Sequence, residues 1–511
     1  METNDRLTKR NLWAFSLGPI GRDTATYLFS GFLLTYVIYT KNLTDLQFTV
    51  LSAIVVAERV FDAVNDLIMG NVLEVTRTKW GKFKPWIAVS MILCGIIYLI
   101  SFGNSLDGWP YVVLFGVLYL IYDLVFTAND IAYWGMIPAL AVHKEDRDRI
   151  TSLSILFAGI GSALTTVFVP MLTAGERTIG GSAVTAYWYV ALACTAAFIG
   201  TQCITLIGVK EKPLPPKGEG TVDKVSVRVI VNIMRDNDQL KWCTILFMFS
   251  TVATNLFNNG LGINYIFFEF GYNGILFTLF SALGAVASAI IMLFFTPISK
   301  KFSRNQLMKL STIGMVGGHL FILLVGLLVP ASAMLFGSAI SLKFVLMMFG
   351  NLFAFAGQSI NYLVIVICIA NTVEYNEWKT GARAEGIIFA IRPFIVKLGY
   401  AFIQLIVLIV FLATGVREYT NQIADLENKA SRGLVEADAK IEGIKQVLAT
   451  VPPGKNTALL ACMTLIPIVL SLICYLIYAK KYTLTEERYD QILLELKERK
   501  AATVPAESAA E

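Results

Sequence analysis

Twelve long apolar runs, separated by mostly short polar loops, leave this chain few folds to choose from. They lie near 12–39, 46–72, 84–104, 109–138, 150–174, 184–209, 241–268, 273–298, 307–329, 338–370, 386–415 and 457–480. Each is near or above the ~20 residues a helix needs to cross a bilayer, and the longer ones imply tilt or protrusion. Charged residues make up 15% of the 511 positions and hydrophobic residues 56%. A soluble protein of this size carries nearer ~25% charge. The chain reads as an all-α membrane protein with twelve transmembrane helices.

Composition also removes several functions. Seven cysteines are scattered through apolar segments without a CxxC, as small core hydrophobes are. The two histidines, His143 and His319, are far apart, which argues against a zinc site or a histidine-based triad. No cofactor is expected and no enzyme chemistry is visible. The net charge of +5 sits mostly in loops, where the positive-inside bias accounts for it, so no nucleic-acid partner is implied. The N-terminus runs into a full-length span without a small-residue cleavage site, unlike a secretory signal peptide.

The loops set the orientation. Arg77, Lys79, Lys82 and Lys84 follow span two; Lys144, Arg147 and Arg149 follow span four; Lys300, Lys301 and Arg304 follow span eight. The 3–4, 7–8 and 9–10 loops have essentially no basic residue. Basic loops stay in the cytoplasm, so both termini are expected inside a bacterial inner membrane. A basic linker at 210–240 divides the chain into 1–209 and 241–480, six spans each. The basic loops after spans two and eight lie six spans apart. This is the parallel-repeat layout of major facilitator transporters, two six-helix bundles with the substrate near the midplane. Residues 416–456 form an extracytoplasmic insert whose apolar spacing suggests one or two amphipathic helices broken near Gly433. A solvated appendage is the favoured reading over a cap on the outer vestibule. The tail, 481–511, opens with a possible capping box from Thr483 to Glu486, then a short cytoplasmic helix and a disordered end.

Ionisable residues inside spans are expensive and mark functional sites by default. Asp62 and Asp66, four apart on one face of span two, repel each other and call for something positive. Asn65 adds a neutral oxygen, and a small hard cation favours such ligands. The alternative is a packing pair neutralised by Arg59 or a distant lysine; Glu58 is undecided. Span one carries Arg22 and Asp23, which as adjacent residues do not share a face, so simple self-neutralisation is not expected. In span four, Asp130 and Trp134 share a face: a carboxylate accepts sugar hydroxyls and an aromatic ring stacks on a pyranose. Arg392 and Lys397 in span eleven need acids or a wet cavity.

Several of these stretches resemble one known family. Asp62-Ala63-Val64-Asn65-Asp66, the loop from Arg77 to Trp86, Gly21-Arg22-Asp23, Asp130 to Trp134, and Ala370 to Tyr375 with Lys397 downstream are similar to the glycoside–pentoside–hexuronide:cation symporters. The likeness covers nearly everything except 416–456. It implies a cation site of Asp62, Asn65, Asp66 and Thr127, with Asp62 and Asp66 as Na+ ligands. It implies that Arg22, Asp23, Tyr27, Asp130 and Trp134 bind sugar. It implies a cytoplasmic gate at 76–86, including Arg77 and Lys82, with Arg147 and Glu374. One departure stands out. A galactoside carrier of the family uses a helix-five arginine, whereas span five here is Ser152-Leu153-Ser154-Ile155-Leu156-Phe157, with Ile155 at that position. Arg392, suited to a carboxylate or sulfonate, keeps an anionic glycoside open beside a neutral pentoside. The expectation is Na+- or H+-coupled symport of a glycoside by a monomer in the lipid bilayer. The alternatives are a non-transporting sensor of the same fold, or a symporter for another anionic sugar derivative such as a sulfonated sugar.

Overall fold

A computed structural model describes residues 7–76, 78–141, 143–210, 227–335, 341–381 and 384–507. Local chemistry accounts for most helix ends. The first span breaks at Leu17, ahead of Pro19, into α1 (Lys9–Ser16) and α2 (Gly18–Thr40). A reciprocal capping box between Thr44 and Gln47 starts α3 (Asp45–Val75). Pro85, in the first turn, opens α4 (Lys84–Gly103). Then come α5 (Gly108–Gly135), the single turn α6 (Ile137–Leu140), α7 (Lys144–Thr173) and α8 (Ala183–Gly208).

In the later part of the chain, α9 is Val227–Asp236 and α10 is Asp238–Asn255. A π-turn over Leu256–Leu261 joins α10 to α11 (Gly262–Phe270). Helices α12 (Gly274–Lys301), α13 (Arg304–Leu328), α14 (Leu342–Thr380) and α15 (Glu385–Thr414) follow. The chain ends with α16 (Arg417–Ser431), α17 (Ala437–Ala449), α18 (Pro453–Lys481) and α19 (Glu486–Glu507).

Among the described residues, nine helices are long and apolar enough to cross a membrane. The other expected spans, α1–α2, α3 and α10–α11, carry intramembrane charges or helix breaks. Ile207, Leu293 and Leu328 are more than three-quarters exposed, an arrangement that suits hydrocarbon better than water.

Contacts divide the chain into two compact units. The first comprises Met1–Lys224, Ile266–Ser281 and Leu408–Asn456. At its centre α2 packs on α7 and α8, while α3 packs on α5 and α4 on α5 and α8. Gly21 makes the α2–α8 crossing possible: a Cβ there would lie 2.2 Å from the Ala197 carbonyl oxygen. Rings of Phe29, Tyr98, Tyr119 and Tyr122 fill the core beside it. The second unit comprises Val225–Tyr265, Ala282–Val407 and Thr457–Glu511. Here α13 lies against α14 at Gly318, where a Cβ would meet the Gly350 carbonyl oxygen at 2.6 Å.

Two sequence expectations fail here. The insert is not a solvated appendage, because α16 packs on α2 and α8. Arg417 donates to Asp45 (3.1 Å) and to the Leu43 carbonyl, which also accepts from Asn421 (3.0 Å). Asn428 donates to the Thr40 carbonyl (2.7 Å). Glu427 accepts the Ala183 N–H at the start of α8 (2.6 Å) and pairs with Lys440 at 3.2 Å, both side chains sealed from solvent. The tail cap is also displaced. Thr485, not Thr483, accepts the Arg488 N–H (3.3 Å), and α19 runs to Glu507, so only 508–511 of the expected disordered end lie outside the described residues. Ile492 and Leu496 are buried on the second unit, where α19 packs on α14.

Candidate substrate and cation sites

In the first unit, Arg22 is almost fully buried. Its Nε and Nη2 donate to Asp23 Oδ2 at 3.1 and 3.0 Å, and its Nη1 donates to Asp130 Oδ1 at 3.0 Å. The Arg22–Asp23 bond corrects the argument from helical faces: the long stem lets the fork turn back on its neighbour. The same fork reaches Asp130, so the group is a shared cluster, not a closed pair. Trp134 Nε1 donates to the same Asp130 oxygen at 3.1 Å, as the four-residue spacing predicts. The guanidinium also lies 5.0 and 5.1 Å from the rings of Tyr133 and Trp134. Tyr133 is fixed from behind, stacked on Phe15 and donating to its carbonyl. The Asp130 side chain remains nearly half exposed, so part of its carboxylate stays open while Arg22 holds it in place. Tyr27, expected beside these groups, packs its ring 6.1 Å from Phe32.

One turn back along α5, Thr127 donates to Asp62 Oδ1 at 3.1 Å. Asn65 donates to the Asp123 carbonyl at 3.1 Å, while its own Oδ1 is buried and has no donor among the described residues. An orphaned buried acceptor is costly unless something outside the chain satisfies it. Asp62, Thr127 and Asn65 are all deeply buried, and Asp66 is half-buried on the next part of the α3 face. Carboxylate, hydroxyl and amide oxygens together suit a small hard cation and leave no preference for a soft metal. Asp123 is a site residue that the sequence does not single out. Its value lies in its backbone oxygen, which residue type does not reveal.

The second unit places Arg392 in α15, half-buried, donating from Nη2 to the Tyr362 hydroxyl with its guanidinium 5.4 Å from that ring. Lys397 is half-buried further along the same helix. Sequence reasoning missed Tyr362, because nothing in its neighbourhood says which helix it faces. At the end of this unit expected to face inward, Glu374 accepts from the Tyr489 hydroxyl at 3.2 Å. Lys379 and Tyr375 both reach Asp238, at 2.6 and 2.9 Å. Burial pushes the Asp238 carboxyl up, but hydrogen bonds from Lys379, Gln239 and Tyr375 outweigh it and hold the group at about 2. Of the other expected gate residues, Arg147 donates to the Ala141 carbonyl at 3.4 Å, where it closes the end of α6. Lys82 lies 5.1 Å from the Phe83 ring, and Arg77 lies outside the described residues.

A helical chain with charge clusters buried at helix–helix contacts has the construction of a membrane carrier. The family model for MFS/sugar transport proteins matches residues 14–486, and the chain belongs to that family. Its fold is the all-α major facilitator fold of twelve spanning helices, and the protein is a transporter, not an enzyme. The chain is 25% identical over 504 residues to a lactose permease of Lactobacillus delbrueckii subsp. bulgaricus, covering 94% of this chain and 72% of the permease. It is 24% identical to a proposed 2,3-dihydroxypropane-1-sulfonate exporter of Escherichia coli, over 97% of each chain. Among solved structures, a D-xylose–proton symporter matches with a TM-score of 0.54 at 13% identity, covering 88% of this chain and 98% of the symporter, a likeness of fold alone.

Proposed function

We propose that this protein is a cation-coupled sugar symporter in which α5 ties the two ligands together. The observation that carries the reading is the placement of Thr127 and Asp130. They are three residues apart on one helix, Thr127 bonded to Asp62 and Asp130 bonded to Arg22 and Trp134. A cation drawn to Asp62, Asp66, Thr127 and the orphaned oxygen of Asn65 relieves carboxylate repulsion and fixes that turn of α5. The sugar-facing oxygens of Asp130 are on the next turn, so occupancy of one site changes the geometry of the other. Asp23 and Asp130 accept sugar hydroxyls, and Trp134 offers its ring to the apolar face of a pyranose. Relatives named as lactose permease, raffinose carrier and isoprimeverose transporter support a sugar as cargo. The loop charges favour both termini on the cytoplasmic side. Several oxygens at the site favour Na+ over H+, which needs only one carboxylate.

The test is uphill accumulation of radiolabelled sugar by proteoliposomes under a Na+ gradient or, separately, a pH gradient. Wild-type protein accumulates sugar with one of them, and Asp62→Asn loses accumulation while retaining sugar exchange at equal concentrations. Unchanged uphill transport by Asp62→Asn overturns the cation-site assignment.

A further inference from the structure

Beside the turn of α5 that carries Thr127 and Asp130, the first unit buries a layer of neutral polar side chains. Asn129 is fully buried and donates from Nδ2 to the Ser90 hydroxyl at 2.8 Å. Its Oδ1 is sealed from solvent and has no donor among the described residues. Ser90 is itself held, donating to the Trp86 carbonyl at 2.6 Å. Gln202, in α8, is fully buried too, and neither its Oε1 nor its Nε2 has a partner among the described residues.

Two helix registers bring Gln202 level with the other two. On antiparallel α4 and α8, Lys84 donates to the Val209 carbonyl at 2.6 Å, and a Cβ on Gly95 would lie 3.2 Å from Thr195 Cγ2. Ser90 and Gln202 each fall near the midpoint between these crossings. Spans four and six run the same way, so α5 and α8 are parallel. A Cβ on Gly18 would lie 2.5 Å from Thr205 Oγ1 and 2.6 Å from the Tyr133 hydroxyl, which sets those two side by side. Asn129 and Gln202 each come about one helical turn before them.

Two carbonyl oxygens and one amide nitrogen therefore lie unmet at one level of the bundle. A buried polar group left unmet costs stability, and the cost grows as the surroundings become less polar. The set also defines what meets it. A metal ion or an ammonium suits the oxygens but opposes the N–H groups of Gln202. Water donates two hydrogen bonds and accepts two, and a buried water typically makes about three.

We propose that Ser90, Asn129 and Gln202 form an internal water-binding site that fastens α5 to α4 and α8 beside the turn holding Thr127 and Asp130. The site goes beyond the transport reading and does not depend on it.

A cryo-electron microscopy structure of the wild-type, full-length protein, at a resolution that shows ordered water, is the direct test. The expected result is a density peak within ~3 Å of Asn129 Oδ1 and of the Gln202 amide. Direct amide–amide contact, or no peak, overturns the proposal. Thermal unfolding gives an independent sign. Gln202→Met keeps the length of the side chain and removes the amide. If water bridges the two amides, this substitution strands Asn129, and the unfolding midpoint should fall by about 3 °C or more. If Gln202 is buried dry, removing its unmet amide raises the midpoint, and the proposal fails. Asn129→Leu should cancel most of the effect of Gln202→Met, because no bridge remains to break. Equal effects of Gln202→Met in both backgrounds would overturn the bridge. Should a variant fail to fold, the wild-type density decides.

Discussion

Asp130 is a shared acceptor in the first unit. One of its oxygens takes bonds from Arg22 and from Trp134, while the side chain stays partly open. A bound sugar hydroxyl competes with neither donor if it approaches the other oxygen, so Arg22 and Trp134 act as a frame. In the proposed sugar site Trp134 would have two separable functions: its N–H orients Asp130, and its ring offers an apolar face. Trp134→Phe keeps the second and removes the first. The expected result is a loss of sugar affinity of about fivefold, the size of one hydrogen bond. Trp134→Ala removes both and should lose a further ~5- to 10-fold, within the usual range for aromatic stacking. Equilibrium binding of the sugar identified in transport assays measures both. Equal affinity of Trp134→Phe and wild type would leave the indole N–H without a role in binding.

At the scale of elements, the α16–α17 hairpin is bonded to the first unit chiefly through side chains that the sequence shows as ordinary surface charge. Glu427 and Lys440 are fully buried together, and Glu427 also satisfies the N-terminal N–H of α8 at Ala183. Removing one member of such a pair leaves an uncompensated buried charge, a penalty of ~3–5 kcal/mol. Lys440→Met should therefore lower the thermal unfolding midpoint strongly at neutral pH. Burial pushes the Glu427 carboxyl up, against the pull of Lys440. With Lys440 gone, the folded protein binds a proton at Glu427 more readily than the unfolded chain does. Its stability rises as pH falls through the elevated folded value toward the ordinary carboxylate range near ~4.3. The gap between Lys440→Met and wild type should thus narrow from pH 7.5 to pH 5.5, and Glu427→Gln/Lys440→Met should recover part of the loss. A gap independent of pH would mean that the methionine fails by packing and not by charge. The helices of this hairpin were legible from spacing, but their docking was not: an apolar stripe states that a face will be covered without naming what covers it. The Arg392–Tyr362 contact was not legible either, because it joins helices α15 and α14 through a side chain whose reach only three dimensions reveal. The Asp62–Thr127 bond sits between these cases, since family resemblance supplied Thr127 and intramembrane cost supplied Asp62.

For the whole molecule, symport requires that two ligands share one free-energy balance. The proposed cation ligands come from α3 and α5, and the proposed sugar ligands from α2 and the next turn of α5. Any change in sugar affinity caused by the cation must then be matched by an equal change in cation affinity caused by the sugar. Couplings of this kind are typically ~5- to 150-fold. Wild-type protein should show the same factor in two titrations, sugar at low and saturating cation, and cation at low and saturating sugar. Thr127→Val keeps the volume of the side chain and removes the hydroxyl bonded to Asp62. It should pull the factor toward one while leaving sugar affinity without cation within about twofold, because Arg22, Asp130 and Trp134 are untouched. Unequal factors in wild type would rule out simple two-ligand equilibrium. An undiminished factor in Thr127→Val would show that the coupling bypasses this turn of α5 and is carried by Asp62 and Asp66 through α3 alone.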